Sequence, residues 1–128
     1  MNIQITLTGQ PITKKNSQQI IKARGHSMII PSAQYRRYEQ ECLVQIPDEA
    51  RQRIDSAVNM QCEYYMPTRR RVDLCNLLGA TCDILVAAGV LEDDNCRIVA
   101  SHDGCCVYHD KKNPRVEITL TTYKGTTI

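Results

Sequence analysis

The residue types that could do chemistry are concentrated in one stretch in the second half of the chain. Three arginines at 69–71 come just before Asp73, and a second acidic run, Glu92-Asp93-Asp94, follows a helical segment. Carboxylates of this kind bind hard divalent cations such as Mg²⁺, together with water and substrate phosphate. Asp73 with Asp93 or Asp94 could therefore hold such an ion. The simpler interpretation is a helix cap and, further on, a solvated turn.

One helix separates the two charged groups. Its predicted buried face, with three- and four-residue spacings, consists of Leu74, Leu77, Leu78, Thr81, Ile84, Leu85 and Ala88. Asp73 is a natural N-cap, and Gly89 is a natural residue just beyond the C-terminus. At 1.5 Å per residue the helix spans about 22 Å. The acidic groups can therefore meet only if the following loop folds back or another subunit contributes one of them.

A second stripe of the same helix is polar and contains Asn76, Gly79, Ala80 and Asp83. Glycine inside a helix costs roughly 1 kcal/mol relative to alanine. Either the helix tolerates this cost, or another group packs closely against Gly79.

The other elements must hold this stretch in place. We predict strands at 2–8, 57–66, 97–100, 105–109 and 115–123, a hairpin at 20–30 with its turn at 24–26, a helix from 32 to 46, and a helical turn within 48–53. The strand at 57–66 alternates apolar and polar residues and leads directly to the arginines. Asp103-Gly104 is a strong turn signal, so 105–109 is predicted to return as the second strand of a hairpin. The order predicts an α+β fold over residues 1–128, a single domain with two helices packed on a mixed, largely antiparallel β-sheet.

Composition and charge limit the class of protein. The 128 residues are 42% hydrophobic and 23% charged, which is ordinary for a globular domain. No apolar run approaches a membrane span and no signal peptide opens the chain, so we expect a cytoplasmic protein without a membrane partner. Residues 1–40 carry six basic residues against one acid, and the remainder carry ten against thirteen. The basic third suits phosphate contacts and the acidic remainder suits a cation site, although charge alone does not identify a nucleic-acid partner.

The seven cysteines form no recognisable metal motif. Their number is odd, and no Cys-x-x-Cys pair supplies zinc ligands at short spacing. Cys105 and Cys106, with His102 and His109, form the one local cluster, but adjacent residues of a strand point to opposite faces. We therefore predict buried, reduced thiols, with a metal-binding or thiol-redox module as the alternative.

A longer pattern covers the charged stretch. It reads Pro67-x-Arg69-Arg70-Arg71-x-Asp73-Leu74-x-Asn76-Leu77, followed by Asp83-x-Leu85-x-x-x-Gly89-x-x-x-Asp93-Asp94. This pattern resembles the signature of the RusA family of Holliday-junction endonucleases. The resemblance implies a RusA-like fold and a structure-specific endonuclease that resolves Holliday junctions or other branched DNA by phosphodiester hydrolysis with Mg²⁺ or Mn²⁺. It further implies a homodimer and a phage or prophage origin.

The same resemblance implies roles for individual residues. Asp73 and Asp94 would be the catalytic metal ligands, with Asp93 as a further ligand. The implied DNA-binding residues are Arg69, Arg70, Arg71, Lys14 and Lys15.

Three positions depart from the family pattern. Cys75 stands where the family has its second metal-site aspartate, Gly79 stands where it has an active-site lysine, and Val72 replaces an arginine. A thiol is a soft ligand and replaces a carboxylate on Mg²⁺ poorly. The resemblance implies Cys75, Asn76 and Gly79 as the other active-site positions. The alternative function is a catalytically impaired DNA-junction-binding protein of the same fold.

Overall fold

The computed structural model describes residues 1–14, 18–23 and 25–128. Across these ranges the elements are β1 (Asn2–Thr8), β2 (Gln18–Ala23), β3 (His26–Pro31), α1 (Ala33–Gln45), β4 (Val58–Met66), α2 (Leu74–Ala87), β5 (Val99–Ser101), β6 (Cys106–His109) and β7 (Arg115–Thr122). A 3₁₀ turn, Asp48–Ala50, follows α1. The predicted α+β class, the hairpin formed by β2 and β3 and the helical turn are confirmed. Arg24, predicted in the hairpin turn, lies outside the described residues, and neither α-helix within them is long and apolar enough to cross a membrane.

In the described chain, five strands form one mixed, mostly antiparallel sheet. Its order is β1-β7-β4, with β5 and β6 both along the outer edge of β4. β7 runs antiparallel to β1 and β4, whereas β5 and β6 run parallel to β4. Ile118 of β7 lies opposite Ile5 on one side and Cys62 on the other, and all three are buried. This register gives the sheet a continuous apolar face.

The apolar face of β4 packs against the helices. Alternate residues from Val58 to Met66 are buried, as the sequence period predicts. Tyr64 is fully buried, and its hydroxyl lies 2.7 Å from Oγ1 of Thr81 in α2. Because the Thr81 hydroxyl donates its proton to the Leu77 carbonyl at 3.0 Å, Tyr64 is the donor in this pair. The bond ties the central strand to the middle of α2.

The outer edge of the sheet contradicts the predicted hairpin at 97–109. β5 pairs with the beginning of β4 and β6 with its end, and both run in its direction. Asp103-Gly104 therefore interrupts one edge strand without reversing it, and Gly104 has a φ of 87°. Asn59 holds the interruption by accepting from the Asp103 N–H at 2.7 Å and donating to the Asp103 carbonyl at 3.1 Å. The prediction fails because a glycine with positive φ suits an irregular strand edge as well as a tight turn.

α2 begins and ends where the sequence predicts. Asp73 Oδ1 accepts a hydrogen bond from the Cys75 N–H at 2.9 Å, and Gly89 adopts a φ of 76°. The predicted apolar face is buried from Leu77 onward, but Ala80, which we assigned to the polar stripe, is buried as well. The buried face of α2 is thus wider than its large apolar side chains indicate, and the open side is correspondingly narrower.

All seven cysteines are free thiols, but they are not all buried. Those buried are Cys42, Cys62 and Cys82, those exposed are Cys75, Cys96 and Cys106, and Cys105 is half-buried. The prediction of buried thiols is therefore wrong for the exposed three. A thiol is small, so leaving it in water forgoes little hydrophobic free energy.

Candidate functional site

Two adjoining cavities run along the open side of α2, and together we define them as the α2 groove. The first, of about 270 Å³, is lined by Lys14, Cys75, Asn76, Gly79, Ala80, Asp83 and Asp94. The second, of about 290 Å³, is lined by Cys75, Leu78, Gly79, Cys82, Asp94 and His102. The two cavities share Cys75, Gly79 and Asp94, so they form one depression. The groove therefore brings together several of the residues that the sequence predicts for the site.

Asp94 reaches the groove because the loop after α2 folds back within the same chain. The N–H of Glu92 donates to the carbonyl of Ile54 at 2.9 Å, and the N–H of Ile54 donates to the carbonyl of Val90 at 2.9 Å. Leu91 and Ile54 form an isolated parallel bridge between these bonds. Of the two arrangements left open by the sequence, the folded-back loop is the one that carries Asp94 to Cys75 without a second subunit.

The carboxylate of Asp93 accepts hydrogen bonds from other residues of this loop. Its Oδ2 accepts from the side-chain amide of Asn95 at 2.8 Å, and its Oδ1 accepts from the N–H of Asp94 at 2.8 Å. These hydrogen bonds hold the pKa of Asp93 below its usual range. Glu92 is also engaged, because it pairs with Arg53 at 3.5 Å. Asp94 is the member of the acidic run whose side chain lines the groove.

Asp73 lies at the start of α2, two residues before Cys75. Its Oδ1 caps the helix through the Cys75 N–H, and the residue is exposed. Asp73 is not among the residues that line the two cavities. The structure therefore brings Asp94 to Cys75, but it does not bring the two outer aspartates into one cavity.

A metal ion at this site would rely on few protein ligands. Among residues 1–14, 18–23 and 25–128, no group of three or more His, Cys, Asp or Glu side chains is arranged to hold one. The exposed carboxylates of Asp73 and Asp94 are hard oxygen donors, and Mg²⁺ commonly uses one or two carboxylates with water and phosphate as its remaining ligands. The thiol of Cys75 is too soft to add to that set. The donor chemistry thus fits a hard divalent ion that is partly held by substrate.

Lys14, from the segment after β1, lines the groove. Lys14 Nζ is 3.6 Å from Asp83 Oδ2, and both side chains are about half exposed. Lys15, the other predicted DNA contact of this segment, lies outside the described residues. Gly79 faces open space: apart from its own helix backbone, no atom of the described chain lies within 4 Å of the position a Cβ would take. Close packing by the described residues is therefore not the reason for this glycine.

The three arginines follow β4 and are all exposed. Arg70 and Arg71 line a cavity of about 270 Å³ together with Gln10 to Thr13, Gln34 and Thr68, and Arg69 and Arg70 line another of about 250 Å³ with Tyr108 and His109. Within the described part of the chain, none of the three forms an ion pair with an acid. Their charges are therefore available to an anionic partner.

The sequence did not predict His102 as a groove residue. His102 lines the second cavity beside Cys82, and its Nδ1 lies 3.0 Å from the Met60 carbonyl. The predicted hairpin turned the chain at Asp103-Gly104, whereas the parallel edge strand keeps it alongside β4. Predicting that residues 99–109 run parallel to β4 would have placed His102 in the groove.

The comparison with known families agrees with this architecture. A family model described as endodeoxyribonuclease RusA matches residues 8–121 of the 128-residue chain. The match runs from the end of β1 to the end of β7 and includes the arginine run, α2 and the folded-back loop. No curated protein gives a significant match. Because the family model covers nearly the whole chain, this protein belongs to the RusA endodeoxyribonuclease family.

Proposed function

We propose that this protein is a metal-dependent, structure-specific endonuclease that resolves Holliday junctions and related branched DNA by phosphodiester hydrolysis. The observation that carries the proposal is the folded-back loop, which presents Asp94 beside Cys75 and Gly79 in a groove along α2, the helix that begins just after the run of exposed arginines. The family supports an endodeoxyribonuclease.

Different residues of the chain bind the metal ion and the DNA phosphates. Asp94 in the groove and Asp73 at the start of α2 would each offer a carboxylate to Mg²⁺ or Mn²⁺, with water and substrate phosphate as the remaining ligands. Asp93 orients the loop through its bonds to Asp94 and Asn95. When bound, such an ion lowers the pKa of a coordinated water and offsets charge on the scissile phosphate. The run at 69–71 binds the phosphates on either side of the cut, because a guanidinium is a flat, bidentate donor. Lys14 adds positive charge within the groove itself, and Lys15 is a further candidate DNA contact.

We further propose that the functional unit is a homodimer. A four-way junction is resolved by two symmetric cuts, and a two-fold dimer places two identical sites at a fixed separation. Light scattering of the purified protein, alone and with junction DNA, tests this directly. A monomer in both conditions would contradict it.

A second function, junction binding without cleavage, is favoured by Cys75 and Gly79. A thiol replaces a potential carboxylate ligand, and Gly79 stands where the family has a lysine. Loss of one such stabilising group commonly lowers the rate of the catalysed reaction by about 10²–10³-fold, so cleavage would be slowed without being abolished. The two functions differ in whether a metal produces a cut.

The deciding experiment uses a labelled four-way junction and a linear duplex of matched sequence, each with Mg²⁺, Mn²⁺ or EDTA. We expect paired nicks in the junction alone, only with metal. Asp94→Asn should lower the cleavage rate by at least about 10²-fold while retaining junction binding, because it removes a metal ligand and leaves the arginines intact. Asp73→Asn should do the same.

The matched control for this experiment is Glu92→Gln, which changes one acid of the same loop. Glu92 faces Arg53 at 3.5 Å in an exposed pair, and pairs of that kind contribute little stability. We expect it to cleave within a few-fold of the unsubstituted protein. Equal losses in Asp94→Asn and Glu92→Gln would overturn the assignment of Asp94, and a junction that is bound but uncut in every condition would favour the second function.

A further inference from the structure

A cluster of thiols and one imidazole lies beside the α2 groove and has no role in the proposed hydrolysis. It consists of Cys62 in β4, Cys82 in α2, and His102 and Cys105 in the edge interruption. Cys62 and Cys82 are buried, whereas Cys105 is half-buried and His102 lines the groove. The cluster is thus reachable by small molecules at one side and packed against the core at the other.

The cluster exists because the edge strand is interrupted. An unbroken edge strand would form hydrogen bonds with the backbone N–H and C=O groups of β4. Here, side chains form those hydrogen bonds instead. The N–H of Cys62 donates to Cys105 Sγ at 3.2 Å, and His102 Nδ1 lies 3.0 Å from the Met60 carbonyl. Cys105 Sγ also lies 3.4 Å from the same carbonyl. Cys105 and His102 are therefore fixed beside each other by the same short segment of β4.

These contacts set the charge of the pair. Hydrogen bonds from Cys62 and then from His102 lower the pKa of Cys105 to about 5, against the opposing effect of burial. Hydrogen bonds with Cys105 and Cys82 raise the pKa of His102 to about 10. Both shifts favour a thiolate beside an imidazolium over the neutral pair. The pKa of Cys62 is raised by Cys105 and by burial, so Cys62 remains a thiol and donates to its neighbour.

We propose that Cys105 is a nucleophilic, oxidant-sensitive thiol and that Cys62 is its disulfide partner. Thiolates next to a cation and open to solvent are the cysteines that peroxides oxidise first. Glu63 pairs with Cys106 in the parallel register, and the preceding residues, Cys62 and Cys105, are in contact because the N–H of Cys62 donates to Cys105 Sγ at 3.2 Å. Adjacent strands are about 4.8 Å apart, which lies within the Cα separation that a disulfide spans.

The reaction with hydrogen peroxide balances with the groups present. The Cys105 thiolate attacks one peroxide oxygen and breaks the O–O bond, and the leaving hydroxide takes a proton from the His102 imidazolium to become water. Cys105 is then a sulfenic acid. The Cys62 sulfur attacks it, the S–O bond breaks, and the hydroxyl leaves as water with the Cys62 proton. Two thiols and one peroxide thus yield one disulfide and two waters.

The first test is made on the complete, unsubstituted protein. It is treated with stoichiometric hydrogen peroxide at pH 6 and pH 8, the remaining thiols are alkylated, and the peptides are mapped by mass spectrometry. We expect a Cys62–Cys105 disulfide as the first product at both pH values, whereas an ordinary thiol would react far more slowly at pH 6. A first modification at exposed Cys75, Cys96 or Cys106 would overturn the proposal.

Three variants separate the roles within the cluster. Cys62→Ser should leave Cys105 as a sulfenic acid that dimedone labels, and Cys105→Ser should abolish both labelling and the disulfide. His102→Asn should slow alkylation of Cys105 at pH 6 by at least about tenfold, with a smaller effect at pH 8. Cys106→Ser is the matched control, because Cys106 is the exposed neighbour of Cys105. If Cys106→Ser loses the reaction and Cys105→Ser keeps it, Cys105 is not the reactive thiol.

Discussion

Gly79 leaves the middle of the α2 groove without a side chain. Apart from its own helix backbone and chain neighbours, no atom of the described chain lies within 4 Å of its Cβ position, so a Cβ is added there without a clash. A lysine at this position would also remove the helix penalty of glycine, roughly 1 kcal/mol. We expect Gly79→Lys to raise metal-dependent junction cleavage by at least about tenfold, because it adds a cation beside Asp94 where transition-state charge develops.

The control for this variant is Gly79→Met, which has a similar length and a similar gain in helix propensity but no charge. Single-turnover rates on the same junction, compared at saturating protein, separate chemistry from binding. Equal rates for the two variants would mean that a cation at position 79 plays no part in the reaction. A gain in both would point to helix stability as the cause.

The two neighbouring acids, Asp93 and Asp94, illustrate what a sequence can and cannot assign at this scale. The resemblance implies Asp94 as a catalytic ligand and Asp93 as a further one, but it gives no physical reason for that order. The structure shows different surroundings, because both carboxylate oxygens of Asp93 accept hydrogen bonds from Asp94 and Asn95 while Asp94 lines the groove. Hydrogen bonds of this kind depend on the loop conformation, which residue type alone does not determine.

At the level of elements, the connection between β4 and α2 determines where the groove lies. Tyr64 donates to Thr81 at 2.7 Å, and burial raises the pKa of its hydroxyl well above the usual range. We expect Tyr64→Phe to lower the free energy of unfolding by about 1 kcal/mol, because the ring is kept and one buried hydrogen bond is removed. Urea denaturation measures the change.

The matched control is Tyr65→Phe on the opposite face of the same strand. Tyr65 stacks on Tyr108 with ring centroids 5.2 Å apart and lies under Arg115 at 3.8 Å, and a phenylalanine ring retains both contacts. Its stability should change by less than that of Tyr64→Phe. Equal changes in the two variants would show that the link from Tyr64 to Thr81 is not a distinct contribution.

The strongly periodic elements could be predicted from the sequence, and the edge elements could not. β4 and α2 carry clear two-residue and 3.6-residue periods, and Asp73 and Gly89 mark the helix ends. β5 has only three residues, and its partner is distant in the sequence. The loop after α2 likewise depends on Ile54, which no local pattern connects to Leu91.

At the scale of the whole molecule, the arginines and the groove acids lie in separate parts of the surface, since, within the described part of the chain, neither the arginine cavities nor the α2 groove is lined by both. The run at 69–71 follows the last residue of β4, Met66, and forms no ion pair with an acid of the described chain. Asp94 and Asp83 line the α2 groove. This separation suits a partner that brings phosphate to the arginines and shares a cation with the acids.

Replacing Arg69, Arg70 and Arg71 together by glutamine should therefore weaken junction binding and reduce its salt dependence. For each phosphate that the variant no longer neutralises, the slope of log affinity against log salt should fall by about 0.9, so the triple variant should show a slope smaller by about 2 to 3. Fluorescence anisotropy in EDTA, over a range of salt concentrations, measures this slope without cleavage.

Lys124→Gln is the control for that measurement, because Lys124 is exposed and lies at the opposite end of the sheet. β7 runs antiparallel to β4, so Thr122 pairs with Val58 while Arg115 pairs with Tyr65 near the arginines. The slope for Lys124→Gln should stay close to that of the unsubstituted protein. If the triple variant also keeps its slope, the phosphates of the junction are bound elsewhere, and the basic residues of the N-terminal third become the candidates to test next.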